Sequence, residues 1–137
     1  MVLYVIHCLD DQSCGMTEGA FGNKRFGGSI KRIGAYAEHK AWQGETSNPA
    51  STNFIKKVAA GPMESEDGKY MVGSMFIVEA TREEAEAFIA NDPFKAAGVW
   101  ESVTINKYIS IPNGIKAVKA ANDGPDLSTI RMEVVVD

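Results

Sequence analysis

Apolar residues crowd the first segment of the chain, where Val2, Leu3, Tyr4, Val5, Ile6, Cys8 and Leu9 predict a buried strand over 2–9. Polar residues and the glycines Gly15, Gly19, Gly22, Gly27 and Gly28 follow, and this stretch reads as a long loop of the kind that serves as a lid or binding segment. Ser29 is placed to cap a helix over 30–43, with Ile30, Ile33, Ala37 and Ala41 recurring at helical spacing as its expected inward face. Ser47-Asn48-Pro49 breaks that pattern. A second strand is expected over 54–60, ended by Gly61-Pro62, and a third over 71–79. Glu66-Asp67-Gly68-Lys69 between them reads as a turn, because Gly tolerates positive φ and Asp bonds its own backbone, so the pair should form an antiparallel hairpin. Thr81 with Glu84 three residues on is a capping box, and the helix it opens turns Ala85, Phe88 and Ile89 inward. Asn91-Asp92-Pro93 stops that helix, since a residue before proline disfavours the α region. One further helical turn over 93–97 and a fourth strand over 100–109 complete the series.

The order is β-α-β-β-α-β, the split pattern of ferredoxin-like α+β folds. It predicts one domain over 1–110 with a glycine-rich insertion at 14–28. A C-terminal extension over 111–137 would carry a short helix near 115–121 and a strand over 129–136, adding to a sheet edge or reaching a neighbouring subunit. Two helices cover only one face of such a sheet. Strands this apolar need their second face buried too, and two sheets facing each other across a two-fold axis achieve that. The expected assembly is a dimeric α+β barrel: a homodimer or a larger homo-oligomer.

Composition narrows the function. With 45% hydrophobic and 23% charged residues in 137, the chain can build a core without disulfide or metal staples. A formal net charge of −4 argues against a nucleic-acid binder, which normally shows a basic stripe. No apolar run approaches the roughly 20 residues that span a bilayer, and Met1 to Ile6 lacks the basic start of a signal peptide, so no membrane association is expected. Cys8 and Cys14 require no oxidising compartment, and a cytoplasmic location is the expectation.

Two histidines occur. Arg32, Tyr36 and His39 stand at i, i+4 and i+7 and share one helical face, which suits a pocket for an anionic or phenolic ligand and equally suits a solvated face. Asp92 before Pro93 is a good N-cap for the turn that follows; it is also a carboxylate able to orient His39 for general acid–base work. Both roles are compatible, because a carboxylate has acceptor sites to spare. His7 alternates with Leu3, Val5 and Leu9, opposite Tyr4, Ile6 and Cys8, and reads as a core histidine or a pocket group. Cys8 reads as an inert core thiol, and Cys14 has no base nearby in sequence. No phosphate-cradling glycine motif, no nucleophile elbow and no paired metal-ligand spacing occurs, so neither cofactor nor metal is expected.

Leu3-Tyr4-Val5-Ile6, Glu38-His39, Ala60-Gly61-Pro62 and Asn91-Asp92-Pro93-Phe94 running into Ala97-Gly98-Val99 resemble, in their joint order, the YCII-like family of dimeric α+β barrel proteins. Asp67-Gly68, Gly73-Ser74 and Glu83-Glu84-Ala85 fall between in the same order, and the resemblance covers roughly 2–109. It implies a dimer of ferredoxin-like subunits with a His–Asp active-site pair, which maps onto His39 and Asp92. It also implies an arginine on the histidine's helix, matched by Arg32, and a pocket hydroxyl at Ser74. The family includes a dehydrochlorinase of a chlorinated hydroxyhydroquinone, and related barrels include muconolactone isomerases. This chain departs from the family in its long loop over 14–28, in extra residues around 45–53 and in the tail beyond Ile109. The expectation is a cofactor-independent lyase or isomerase acting by proton transfer or dehydrohalogenation on a small oxygenated ring compound. His39 and Asp92 would be catalytic, with Arg32, Tyr36, Ser74, Trp100 and His7 around the ligand. The competing expectation is a non-catalytic dimer that binds a small metabolite or serves as an accessory subunit.

Overall fold

Alternation along the first strand sets the architecture. In a computed structural model, which describes residues 2–18 and 27–111, β1 (Leu3–Asp10) buries Tyr4, Ile6, Cys8 and Asp10 on one face while Leu3, Val5, His7 and Leu9 stay partly or largely exposed on the other. β1 is central. It pairs antiparallel with β5 (Tyr70–Glu79) on one side and with β6 (Trp100–Tyr108) on the other. β4 (Lys56–Glu64) pairs antiparallel with the opposite edge of β5. Two short strands, β2 (Met16–Thr17) and β3 (Gly27–Ser29), extend the sheet beyond the end of β1, with β3 parallel to the start of β5.

Three helices, α1 (Ile30–Thr46), α2 (Arg82–Ala90) and α3 (Pro93–Ala96), complete a six-stranded α+β protomer. Leaving aside the added β2 and β3, the order of elements is the β-α-β-β-α-β of a ferredoxin-like fold. The core joins Ile6, Cys8, Phe76 and Val78 of the sheet to Ala85, Phe88 and Ile89 of α2 and to Phe94, Val99 and Trp100 beyond it. No described helix is long and apolar enough to cross a membrane.

Helix caps follow the sequence closely. Ser29 Oγ accepts from the Arg32 N–H at 3.0 Å, and the Thr81–Glu84 box is present in both directions. Gly98, with φ +72°, ends α3 in the left-handed region, and the Val99 N–H returns to the Phe94 carbonyl. α1 runs three residues past its expected end, through Gly44 to Thr46. The Thr46 hydroxyl bonds the Trp42 carbonyl, and Lys57 Nζ reaches across from β4 to the Gln43 carbonyl, so the last turn is held from outside the helix.

Two expectations are corrected. The strand expected to stop before Gly61-Pro62 continues to Glu64, with Pro62 paired to Ser74. Among the described residues β4 has a partner on one side only, and a proline without an N–H is tolerated on such an edge. The inward face of α1 is also not the apolar one. Ile30 is 58% exposed, Ala37 and Ala41 are exposed, and the buried positions are Arg32, Ala35 and Thr46. Hydropathy misled because the buried polar groups are partnered by the sheet and by α3, which removes most of the cost of burying them. The expected helix near 115–121, the strand over 129–136 and the centre of the glycine-rich loop lie outside the described residues.

Cys8 is fully buried, and burial foremost, followed by the charges of Asp92 and Asp10, pushes its thiol up to about 12. A thiol reagent at pH 8 should therefore titrate no more than one cysteine in the native protein, Cys14, and both in denaturant. Fast native labelling of two thiols would contradict this packing.

Candidate active site

Asp92 ends the connection from α2 into α3 in an extended conformation, with Pro93 as the first helical residue. Its side chain is fully buried, and a carboxylate there needs its lone pairs filled. They are filled from three directions. Phe94 N–H donates to Oδ1 at 2.9 Å, Gln43 Nε2 donates to Oδ2 at 2.9 Å, and His39 Nδ1 lies 2.8 and 2.9 Å from the two oxygens. The helix cap and the histidine partner are thus one and the same group. Gln43, one turn beyond His39 on α1, is a member that the local sequence pattern did not single out.

The His39 ring is held as firmly as its nitrogen. It stacks on Phe94 with ring centres 3.8 Å apart and planes 2° from parallel, and Trp100 meets it edge-on at 6.4 Å. The Arg32 guanidinium lies 4.8 Å from the same Phe94 ring. Arg32 and His39 are two turns apart on α1, and the Phe94 ring fills the gap that spacing leaves. With Nδ1 committed to Asp92, Nε2 is the nitrogen left for chemistry.

Arg32 is 4% exposed, and its Nε and one of its two terminal nitrogens are already bonded. Nε donates to Asp10 Oδ2 at 2.6 Å, and one terminal nitrogen donates to Asp10 Oδ1 at 3.1 Å. That nitrogen also donates to the Gly73 carbonyl and to Ser74 Oγ, each at 2.9 Å. A side chain expected to grip the ligand therefore ties α1 to β1 and β5. Asp10 can reach it because it continues the buried alternation of Tyr4, Ile6 and Cys8 along β1, just past a register slip that sets it opposite Trp100. Gly73 allows the close approach: a Cβ there would sit 2.5 Å from the Cys8 carbonyl oxygen. Because Ser74 Oγ accepts from Arg32, its own proton is free to donate elsewhere.

A cavity of about 330 Å³ opens between α1 and the β4–β5 hairpin. Arg32, Tyr36, His39, Lys40, Gln43 and Ser47 line it from the helix side, with Lys57, Ala60, Gly61, Pro62, Ser74 and Phe76 opposite. The volume lies at the small end of ligand pockets and suits a single substituted ring. Four expected positions, Arg32, Tyr36, His39 and Ser74, meet in this wall. Trp100 does not line it; it backs the His39–Phe94 stack from behind. His7 is not part of this wall either: it lies on the other face of β1, paired to Met75 and Thr104, because period-two alternation separates it from Ile6 and Cys8.

Asp10, Gln43, Lys40, Lys57 and Phe94 were not anticipated. Asp10 had a signal, since it continues the buried alternation of Tyr4, Ile6 and Cys8. Lys57 had none. Its ammonium meets the Gln43 carbonyl at 3.0 Å and the hydroxyls of Thr46 and Ser47 at 2.7 Å each. Burial lowers its pKa from the usual lysine range, against the opposing pull of Asp92. Among the described residues no cluster of three His, Cys, Asp or Glu side chains could hold a metal ion.

Comparison with known proteins gives this geometry a family. The model of the YCII-related domain matches residues 20–109, well over half of the chain. The chain belongs to the YCII family. That family is part of the dimeric α+β barrel superfamily. No curated protein matches the chain. Among solved structures, this YCII-family protein is similar to the 5-chloro-2-hydroxyhydroquinone dehydrochlorinase of Burkholderia phenoliruptrix in complex with 2,5-dihydroxybenzoquinone. The two share 23% identity over 80% of this chain and 95% of that one, with a TM-score of 0.53, a likeness of fold.

Replacing Asp10 with Asn would leave the Arg32 charge buried without its counter-ion. Removing one partner of such a pair costs about 3–5 kcal/mol, which urea denaturation of Asp10→Asn should register. A loss below about 1 kcal/mol would mean that the pair is not what fastens α1 to the sheet.

Proposed function

We propose that this protein is a cofactor-independent lyase or isomerase that moves a proton on a small oxygenated ring compound. The observation that carries the reading is the paired contact of Asp92 with His39 Nδ1, which leaves Nε2 as the working nitrogen in the wall of a ring-sized cavity. Asp92 fixes the tautomer with the proton on Nδ1 and stabilises the imidazolium once Nε2 has taken a second proton. That proton comes from a ring hydroxyl or an acidic ring carbon. The electron pair it leaves behind either shifts within the ring system, with His39 returning the proton at another ring atom, which is isomerisation, or expels a halide, with the proton passing to solvent, which is dehydrohalogenation. Ser74, its oxygen held by Arg32, donates its hydroxyl to the oxygen on which charge develops. Tyr36 and Phe76 give the ring its walls. The family membership and the dehydrochlorinase-like fold support this chemistry over hydrolysis or phosphoryl transfer.

The working unit in this reading is a homodimer. Leu3, Val5 and His7 of β1 share the helix-free face of the sheet with Met75 and Ile77 of β5, and none of these five is fully buried in the protomer. Two such faces packed together would close the barrel, with His7 in its interior rather than at the ligand.

Asp92→Asn tests the catalytic pair. Turnover of hydroxylated or chlorinated quinols should fall by about a hundredfold to ten-thousandfold while the circular dichroism spectrum is kept. Nitrogen-15 NMR should show the proton of neutral His39 leaving Nδ1. Unchanged turnover, with stability lower by about 1 kcal/mol, would make Asp92 a cap alone and favour a metabolite-binding dimer. For the assembly, sedimentation should give about twice the 14.8 kDa protomer mass, and Ile77→Lys should shift it towards the monomer. A monomeric wild type would remove the barrel.

A further inference from the structure

Among the described residues the cavity wall contains three cationic side chains, Arg32, Lys40 and Lys57, and no Asp or Glu, in a protein whose formal net charge is −4. Their situations differ. Arg32 is neutralised by Asp10. Lys57 has three neutral oxygens around its ammonium, which satisfy its donors without cancelling its charge. Lys40, next to His39 in the chain, is exposed and forms no hydrogen bond or ion pair among the described residues. The helix supplies it none: the positions three and four away on either side are Ala37, Tyr36, Gln43 and Gly44. Glu38 and Glu45, at i−2 and i+5, leave on other sides of the helix. Of the carboxylates bonded to wall residues from behind, Asp10 is paired with Arg32, and Asp92 is filled by His39, Gln43 and the Phe94 N–H.

A cavity with uncancelled positive charge and no acidic group attracts an anion, and it does so most strongly where its charge is free to move onto the ligand. We propose that Lys40 is the residue that reads the ligand's charge, and that the natural ligand is a ring compound carrying an anionic oxygen, a carboxylate or an ionised ring hydroxyl. The proposal rests on the proton-transfer reading for the identity of the ring, and it makes Lys40, rather than the Asp10-paired Arg32, the residue whose charge is free for the ligand. Lys40 binds the anionic oxygen from the cavity mouth, Lys57 adds charge without contact, and the ring lies inward against Phe76 with His39 Nε2 at its edge. Lys40 is a specificity residue in this arrangement. It selects an ionised ring over a neutral one of the same size and takes no part in moving the proton.

The test uses the full chain and three probes: 2,5-dihydroxybenzoquinone and benzoate, both anions at neutral pH, and hydroquinone, which is neutral. Dissociation constants are measured by calorimetry at low and high salt for the wild type, Lys40→Met and Lys40→Arg. At least one of the anions should bind the wild type more tightly than hydroquinone. Lys40→Met should weaken it about tenfold, as expected for loss of one charge-assisted bond, and should flatten its salt dependence. Lys40→Arg should recover most of the affinity, and hydroquinone should be indifferent to either change. Equal affinity of Lys40→Met for the anions, an anion no tighter than hydroquinone, or no saturable binding of either anion would each overturn the assignment. His39→Gln separates this from the catalytic reading. If Lys40-dependent anion binding survives while neither wild type nor variant turns over any quinol, proton transfer fails and the charge-reading site stands.

Discussion

A carboxylate buried without solvent must have its acceptors filled, and Asp92 is the point at which this protein meets that demand. One oxygen receives the N–H of Phe94 and so starts α3; the other receives Gln43; both face His39 Nδ1. The three donors come from two elements distant in sequence. Satisfying the carboxylate therefore docks α1 onto the α2–α3 corner in a single arrangement, and the orientation of the His39 ring follows from the same bonds. The helix cap and the histidine contact share one group here, and the His39 ring is stacked on the core residue Phe94.

A second buried charge works in parallel. Through Nε and one terminal nitrogen Arg32 binds Asp10, the Gly73 carbonyl and Ser74, fastening the other end of α1 to the two central strands. Phe94 lies against both the guanidinium and the imidazole, so the two polar clusters are spaced by one aromatic ring. The buried side of α1 is in effect a row of partnered polar groups that make one wall of the cavity. Asp10 offsets the charge of Arg32, whereas Lys40 on the same helix has no ion pair among the described residues.

Much of the fold was legible because its signals are local. Strand alternation in β1, the Ser29 cap, the Thr81–Glu84 box and the Asp92–Pro93 stop depend on neighbours a few residues apart, and each appears where the pattern placed it. The inward face of α1 was not legible. Ile30, Ile33, Ala37 and Ala41 form the apolar stripe, yet Arg32, Ala35 and Thr46 are the residues buried, because their partners on β1, β4 and β5 lie far away in the chain. The strand through Gly61-Pro62 was misjudged for a related reason, since only its position at a sheet edge makes a proline acceptable there.

For the site, the sequence by itself singled out His39 and Asp92, through the rarity of histidine and the family order around them, and the two side chains do meet. It also determined that Arg32, Tyr36 and His39 share a helical side, since helical periodicity requires nothing beyond the chain's own geometry. Tertiary structure alone decided what each polar group faces. It gave Arg32 to Asp10, brought Gln43 and Lys57 in, left Lys40 unpaired and put His7 behind the sheet. Partner choice between buried charges depends on which atoms come within three ångströms after folding, and no spacing along a chain encodes that distance.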